Sequence, residues 1–155
     1  MDFLTYHELA HASHYALVGN AWWGNLIQAE LEHIGVDLVS FSFPLDPYRA
    51  DGNDRLDGYI AVAESWAEYI SEEFGAGNPE FLFLRNTYIP EGIYHDLIDN
   101  VDSFEVDNIQ GYNIPALFQA LTHSTIEEMR DDLRQNLPAG NTVPDFNELF
   151  LRYGY

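Results

Sequence analysis

The sequence predicts a single, mainly α-helical domain. Apolar residues recur at three- and four-residue spacing in most segments, Gly and Pro punctuate them at helix-length intervals, and only one short stretch alternates in the manner of a strand. A chain of 155 residues has the length of one folding unit and can bury a sizeable core.

The opening helix is expected from about Phe3 to Val18, with Asp2 as its cap and Gly19-Asn20 as its stop. It carries His7-Glu8-Leu9-Ala10-His11, the spacing H-E-x-x-H. Residues four apart stack one turn above each other, so the two imidazoles can converge on one ion. Glu8 lies about a quarter turn away, where its carboxylate can reach a water beside the ion without becoming a ligand. His14 falls on the same face one turn past His11. Three successive turns of a straight helix do not wrap a tetrahedral ion readily, so His14 is expected to line the cleft wall or to stand behind the ligands rather than to ligate.

A second helix is expected from about Ala21 to Ile34, with Trp23, Leu26, Ile27, Leu31 and Ile34 as its apolar stripe and Gly35 as its end. His33 reads as a boundary residue. Val36 to Phe43 has the strand-like alternation, and Asp46 to Gly58 is a polar loop that lacks the pattern of a calcium site. Ile60, Ala63, Ala67 and Ile70 then mark a helix from about Asp57 to Phe74. Glu64 and Glu68, four apart, adjoin that stripe, and carboxylates beside a core need a counter-charge or a metal. The plainer reading is two solvated acids in an acidic protein.

Glu80 to Pro90 reads as irregular or briefly extended, Glu91 to Ile98 as a short helix with His95, and Val101 to Gly111 as an acidic connector. Pro115 suits the first turn of a helix from about Ile114 to Leu121, and His123 lies just beyond. Ser124 with Glu127 has the capping-box spacing for a helix ending near Leu137, and Asp145 to Tyr153 forms the last amphipathic helix.

A net charge of −20, with six arginines and no lysine, would repel phosphates and argues against nucleic acid or an anionic membrane as partner. There is no cysteine, so a thiolate metal site is excluded. No membrane span is visible. Only Met1 to Tyr6 precede His7, leaving no room for strands ahead of that helix, and the expectation is a portion of a longer protein. Compartment and oligomeric state are left open; an export signal, if there is one, would lie outside this chain.

His7-Glu8-Leu9-Ala10-His11 together with Ala63-Glu64-Ser65-Trp66-Ala67-Glu68-Tyr69 resembles the gluzincin branch of zinc metallopeptidases, which pairs H-E-x-x-H with a downstream helical Glu. The second stretch is similar to the aminopeptidase-like pattern N-E-G-F/W-A-x-Y, with Ala63 for Asn and Ser65 for Gly. Glu68 matches the acid that thermolysin-like members keep four residues after the ligand Glu. His7 to Tyr15, Gly19 to Trp23 and the region Ile114 to Thr122 are similar to uncharacterised bacterial zinc proteases. The resemblance implies a zincin-like helical domain without its upstream β-containing part, and a peptide or protein substrate. It implies Zn2+ on His7, His11 and Glu64, Glu8 as general base, and Glu68 orienting a ligand imidazole. Tyr15, Tyr112 and His123 are the candidates for stabilising an oxyanion. The interval from His11 to Glu64 is far longer than in the best-known gluzincins. The alternative is a catalytically silent zinc-binding or interaction module derived from a metallopeptidase.

Overall fold

In the computed structural model, residues 2–40, 55–75, 89–99 and 108–155 are described, with side chains at all of them except 36–40 and 55–56. Among them are six helices and no strand: α1 (Phe3–Ser40), α2 (Arg55–Phe74), α3 (Gly92–Ile98), α4 (Ile114–Ala120), α5 (Ile126–Gln135) and α6 (Val143–Arg152). The mainly helical expectation holds. The proposed polar loop and irregular segment fall largely on 41–54 and 76–88, outside the described residues, as does most of the acidic connector.

The centre of the fold is α2. From Asp57 to Ser71 nearly every side chain is buried, including Tyr59, Ile60, Val62, Ala63, Trp66, Ala67 and Tyr69. A helix covered all round must be wrapped by other elements. One side is covered by α1. On the other, Trp66 packs against Tyr69, Tyr94 of α3 and Phe118 of α4, with ring centroids at 5.6, 5.5 and 5.8 Å. Beyond them Phe146, Leu149 and Phe150 of α6 fill the core, and Tyr153 donates a 2.8 Å hydrogen bond to Asp96.

The break expected between helices 3–18 and 21–34 is present at Gly19, which adopts the non-helical φ 75° and ψ −174° and divides α1 into two helical arms. That conformation is open essentially to glycine alone. It breaks the direction of the helix, so that Trp22 and Trp23 fold back onto His14, with centroids at 4.4 and 5.9 Å. Gly35 does not end the helix, and residues 36–40, expected to be extended, are helical. A helical glycine costs only about 1 kcal/mol, which tertiary packing overrides. The apolar stripe of this arm is also rotated from expectation. Trp22, Leu26 and Ala29 face inward, whereas Ile27 and Leu31 are 52% and 62% exposed. Two adjacent tryptophans gave the sequence two competing faces, and contact with Tyr59 (4.8 Å from Trp22) selects the first. Nearby, His33 is paired with Asp57 at 2.7 Å.

The capping of α5 differs from the expected box by one residue. Thr125 is the cap, accepting a 3.2 Å bond from the Glu128 backbone, and Glu128 reaches back to the Ser124 backbone and hydroxyl at 3.0 and 2.7 Å. This turn presses against α2 where Gly58 lies: a Cβ there would sit 2.5 Å from the Ser124 carbonyl oxygen and 2.6 Å from a Thr125 methyl. At Gly19 a Cβ meets nothing within 4 Å, so only the backbone resists substitution. Gly19→Ala and Gly58→Ala should each destabilise by about 1–3 kcal/mol, the first through backbone strain and the second through a clash. Urea unfolding measures both, and a D-alanine at 19, which favours positive φ, should recover the first loss.

Candidate metal centre

Two helices build the centre. From the first arm of α1, His7 and His11 turn their Nε2 atoms toward each other, 3.0 Å apart, with ring centroids at 4.7 Å. From α2, Glu64 places Oε2 3.4 Å from His7 Nε2 and Oε1 3.4 Å from His11 Nε2. The three residues the sequence singled out are therefore brought together, and they form a group that could hold a metal ion. An ion with bonds of about 2.0–2.1 Å to tetrahedral donors would separate those donors by about 3.3–3.4 Å. The two Nε2 atoms are 3.0 Å apart, each meets a different Glu64 oxygen at 3.4 Å, and one ligand atom from each residue lies within 4.8 Å of the others. Two neutral imidazole nitrogens and one carboxylate form a donor set that suits a divalent transition metal.

Glu68, one turn beyond Glu64, lies 3.3 Å from His7 Nδ1. A carboxylate on the far nitrogen fixes the ring and leaves Nε2 free to bind the ion. Glu8 is exposed on the adjoining face of α1.

Electrostatics reflects this crowding. Burial disfavours the His7 cation, but hydrogen bonds and charge from Glu64 and Glu68 outweigh it and raise the imidazole to about 9. Burial likewise disfavours the Glu64 carboxylate, which is 5% exposed, yet His11 and His7 hold it down at about 2. One turn further along α1 the balance reverses. His14 is fully buried, and burial lowers it to about 4 although its Nε2 donates a 2.9 Å bond to the Leu121 carbonyl.

The other candidates for the cleft fare unequally. Tyr15 is exposed, stacks edge-on against Trp23 at 5.9 Å and donates to Asn20. Tyr112 is not brought to the group: its hydroxyl donates to the Leu133 carbonyl at 2.8 Å and its ring meets Phe146. The His123 side chain turns to Asp132 at 3.4 Å, and only its carbonyl approaches this region, accepting from Trp22 Nε1 at 3.1 Å. Core packing claims Tyr112 and a local acid claims the His123 ring, so neither expected oxyanion donor is brought to the group.

Two residues were missed. Trp23 packs edge-on against His11 at 5.7 Å and roofs the site. Glu30, two turns beyond Trp23, is half-buried; burial, then the Glu64 charge, pushes its carboxyl up, and His11 opposes this. The i, i+7 relation between Trp23 and Glu30 was readable, but the direction in which the arm folds back was not.

Comparison of the chain with family models, with curated proteins and with solved structures returned no match. Among the described residues no helix is long and apolar enough to cross a membrane.

Two outcomes follow from these proton balances. Below pH 9 an incoming ion must displace the His7 proton, so at pH 7.5 metal binding should release about one proton per ion, and affinity should rise about tenfold per pH unit. Calorimetric titration in buffers of different protonation enthalpy measures the release. For His14, the native value of about 4 lies below the ordinary 6.5. Its contribution is complete above pH 6.5 and is lost as pH falls toward 4, where unfolding lets the ring charge. Between pH 7 and 4.5 the protein should lose about 2–3 kcal/mol more than His14→Phe does, read by urea unfolding at both pH values.

Proposed function

We propose that the chain carries the zinc centre of a gluzincin-type metallopeptidase with a zincin-like helical scaffold, acting on peptide bonds. The observation that supports this most directly is the His7–His11–Glu64 group, in which an H-E-x-x-H helix meets a buried carboxylate from a second helix with one ligand atom of each residue within 4.8 Å of the others. Zinc is favoured by the donor set, since a His2Glu arrangement leaves a fourth position for water or substrate. When bound, the ion supplies Lewis acidity, polarising a carbonyl and acidifying a water.

The protein's own residues do the remainder. His7, His11 and Glu64 fix the ion's position, and Glu68 holds the His7 ring. Glu8, on the solvent side of the same helix, takes a proton from the attacking water and later returns it to the leaving amine. Trp23 covers one wall of the site and limits water there. A peptide must approach from the side where Glu8 is exposed, because α2 closes the other.

A second reading, a silent zinc-binding module, is favoured by one observation: the His7, His11 and Glu64 side chains are only 13, 16 and 6% exposed, leaving a narrow approach to the ion. Glu8→Gln separates the two. On the peptidase reading the variant retains stoichiometric zinc by elemental analysis, while cleavage of a fluorogenic peptide library falls about 10²–10⁴-fold. Undiminished cleavage by Glu8→Gln would remove Glu8 as base, and zinc without any cleavage by the wild type would leave the silent module.

A further inference from the structure

Three buried polar atoms beside the metal centre have no hydrogen-bond partner: His11 Nδ1, His14 Nδ1 and Trp23 Nε1. They belong to one aromatic cluster, since the Trp23 ring lies 5.7 Å from His11 and 5.9 Å from His14, edge-on to both. Buried polar groups are nearly always satisfied, by protein or by an ordered water. Each orphan's hydrogen-bonding character follows from its other contacts. The Leu121 carbonyl can only accept, so His14 Nε2 carries the hydrogen and, in the neutral ring that burial imposes, Nδ1 bears a lone pair. His11 turns Nε2 toward His7 and Glu64, and an ion held there takes that lone pair, which leaves the hydrogen on Nδ1. Trp23 Nε1 is a donor only.

The set is therefore two donors and one acceptor. A single water could accept from His11 Nδ1–H and Trp23 Nε1–H and donate to His14 Nδ1. We propose that a buried water bridges these three atoms and makes His14, through it, a positioning residue for the His11 imidazole. His7 is oriented by Glu68; this bridge would give His11 the equivalent outer partner that metal-bound imidazoles usually have. The third histidine of the H-E-x-x-H-x-x-H string then has a role without being a ligand. The inference rests on the metal reading of the His7–His11–Glu64 group.

Paired substitutions of the full chain test it. Asn places a polar atom near the Nδ1 position of His, and Gln near Nε2. His14→Asn keeps an acceptor for the water and gives up the Leu121 bond, whereas His14→Gln does the reverse; Trp23→Phe removes one donor. Zinc competition titrations should show His14→Asn within about threefold of the wild type, and His14→Gln and Trp23→Phe weakened about tenfold or more. The visible bands of the cobalt-loaded protein should shift in the same two variants. If His14→Asn and His14→Gln lose affinity equally and in step with thermal stability, or if none changes, the bridge is overturned while the metal reading stands. Wild-type protein that takes up no zinc overturns the metal reading, and the bridge with it. Should a variant fail to fold, a high-resolution structure of zinc-loaded wild type decides: density within hydrogen-bond distance of all three atoms supports the bridge, and its absence there overturns it.

Discussion

The arrangement depends on one buried carboxylate. Glu64 sits in the middle of a helix that is covered on nearly every side, with its own side chain 6% exposed. Removing an unpaired carboxylate from water costs several kcal/mol even after relaxation, so a compensating positive charge must be supplied at contact distance. In this chain of strongly acidic composition the described partners at contact distance are His7 and His11 of α1. The register between α1 and α2 is set by this pairing as well as by apolar contact. Ala10 on one helix and Ala63 and Ala67 on the other are buried small residues.

Three histidines one turn apart along one helix illustrate how position decides chemistry. His7 faces two carboxylates and is pushed toward the charged form; His14, two turns along the same arm, packed on Trp22 and bonded to the Leu121 carbonyl, is pushed toward the neutral form. The kink at Gly19 produces that difference, because it folds the tryptophans back over the C-terminal end of the first arm and leaves the N-terminal end facing α2. A residue with a Cβ at 19 would oppose the conformation that brings Trp23 to His11. The aromatic roof and the acidic floor are thus consequences of one backbone dihedral and one helix crossing.

Much of the site was legible in the sequence for a definite reason. His7 and His11 are related by local helix geometry alone, and Glu64 and Glu68 betrayed themselves as carboxylates adjoining an apolar stripe. What joined the two segments was their resemblance to a metallopeptidase pattern rather than anything in composition. The features that escaped are tertiary. Ile27 and Leu31 looked like core because apolar periodicity does not say which of two faces a tryptophan pair will choose; Gly35 looked like a stop because propensity ignores packing. Tyr112 and His123, candidates as oxyanion donors, find their partners Leu133 and Asp132 on α5, a tertiary pairing that local sequence does not carry. The α5 cap was displaced by one residue since Ser124 and Thr125 are both competent caps and Glu128 reaches back from the better-placed position.

Charge accounting shows why this pocket suits a cation stronger than a proton. The carboxylates of Glu64 and Glu68 face one His7 proton, which leaves the pocket one positive charge short of balance. The two Nε2 atoms 3.0 Å apart admit one hydrogen between them but not two, so a second proton cannot complete the balance there. A divalent ion on both Nε2 atoms and Glu64 cancels the two carboxylates fully, and it removes the need for either imidazole to be charged. In a low-dielectric setting that difference of one unit is worth several kcal/mol, since uncompensated charge is what burial penalises most. The same geometry that draws a proton onto His7 could therefore hold a metal ion in its place.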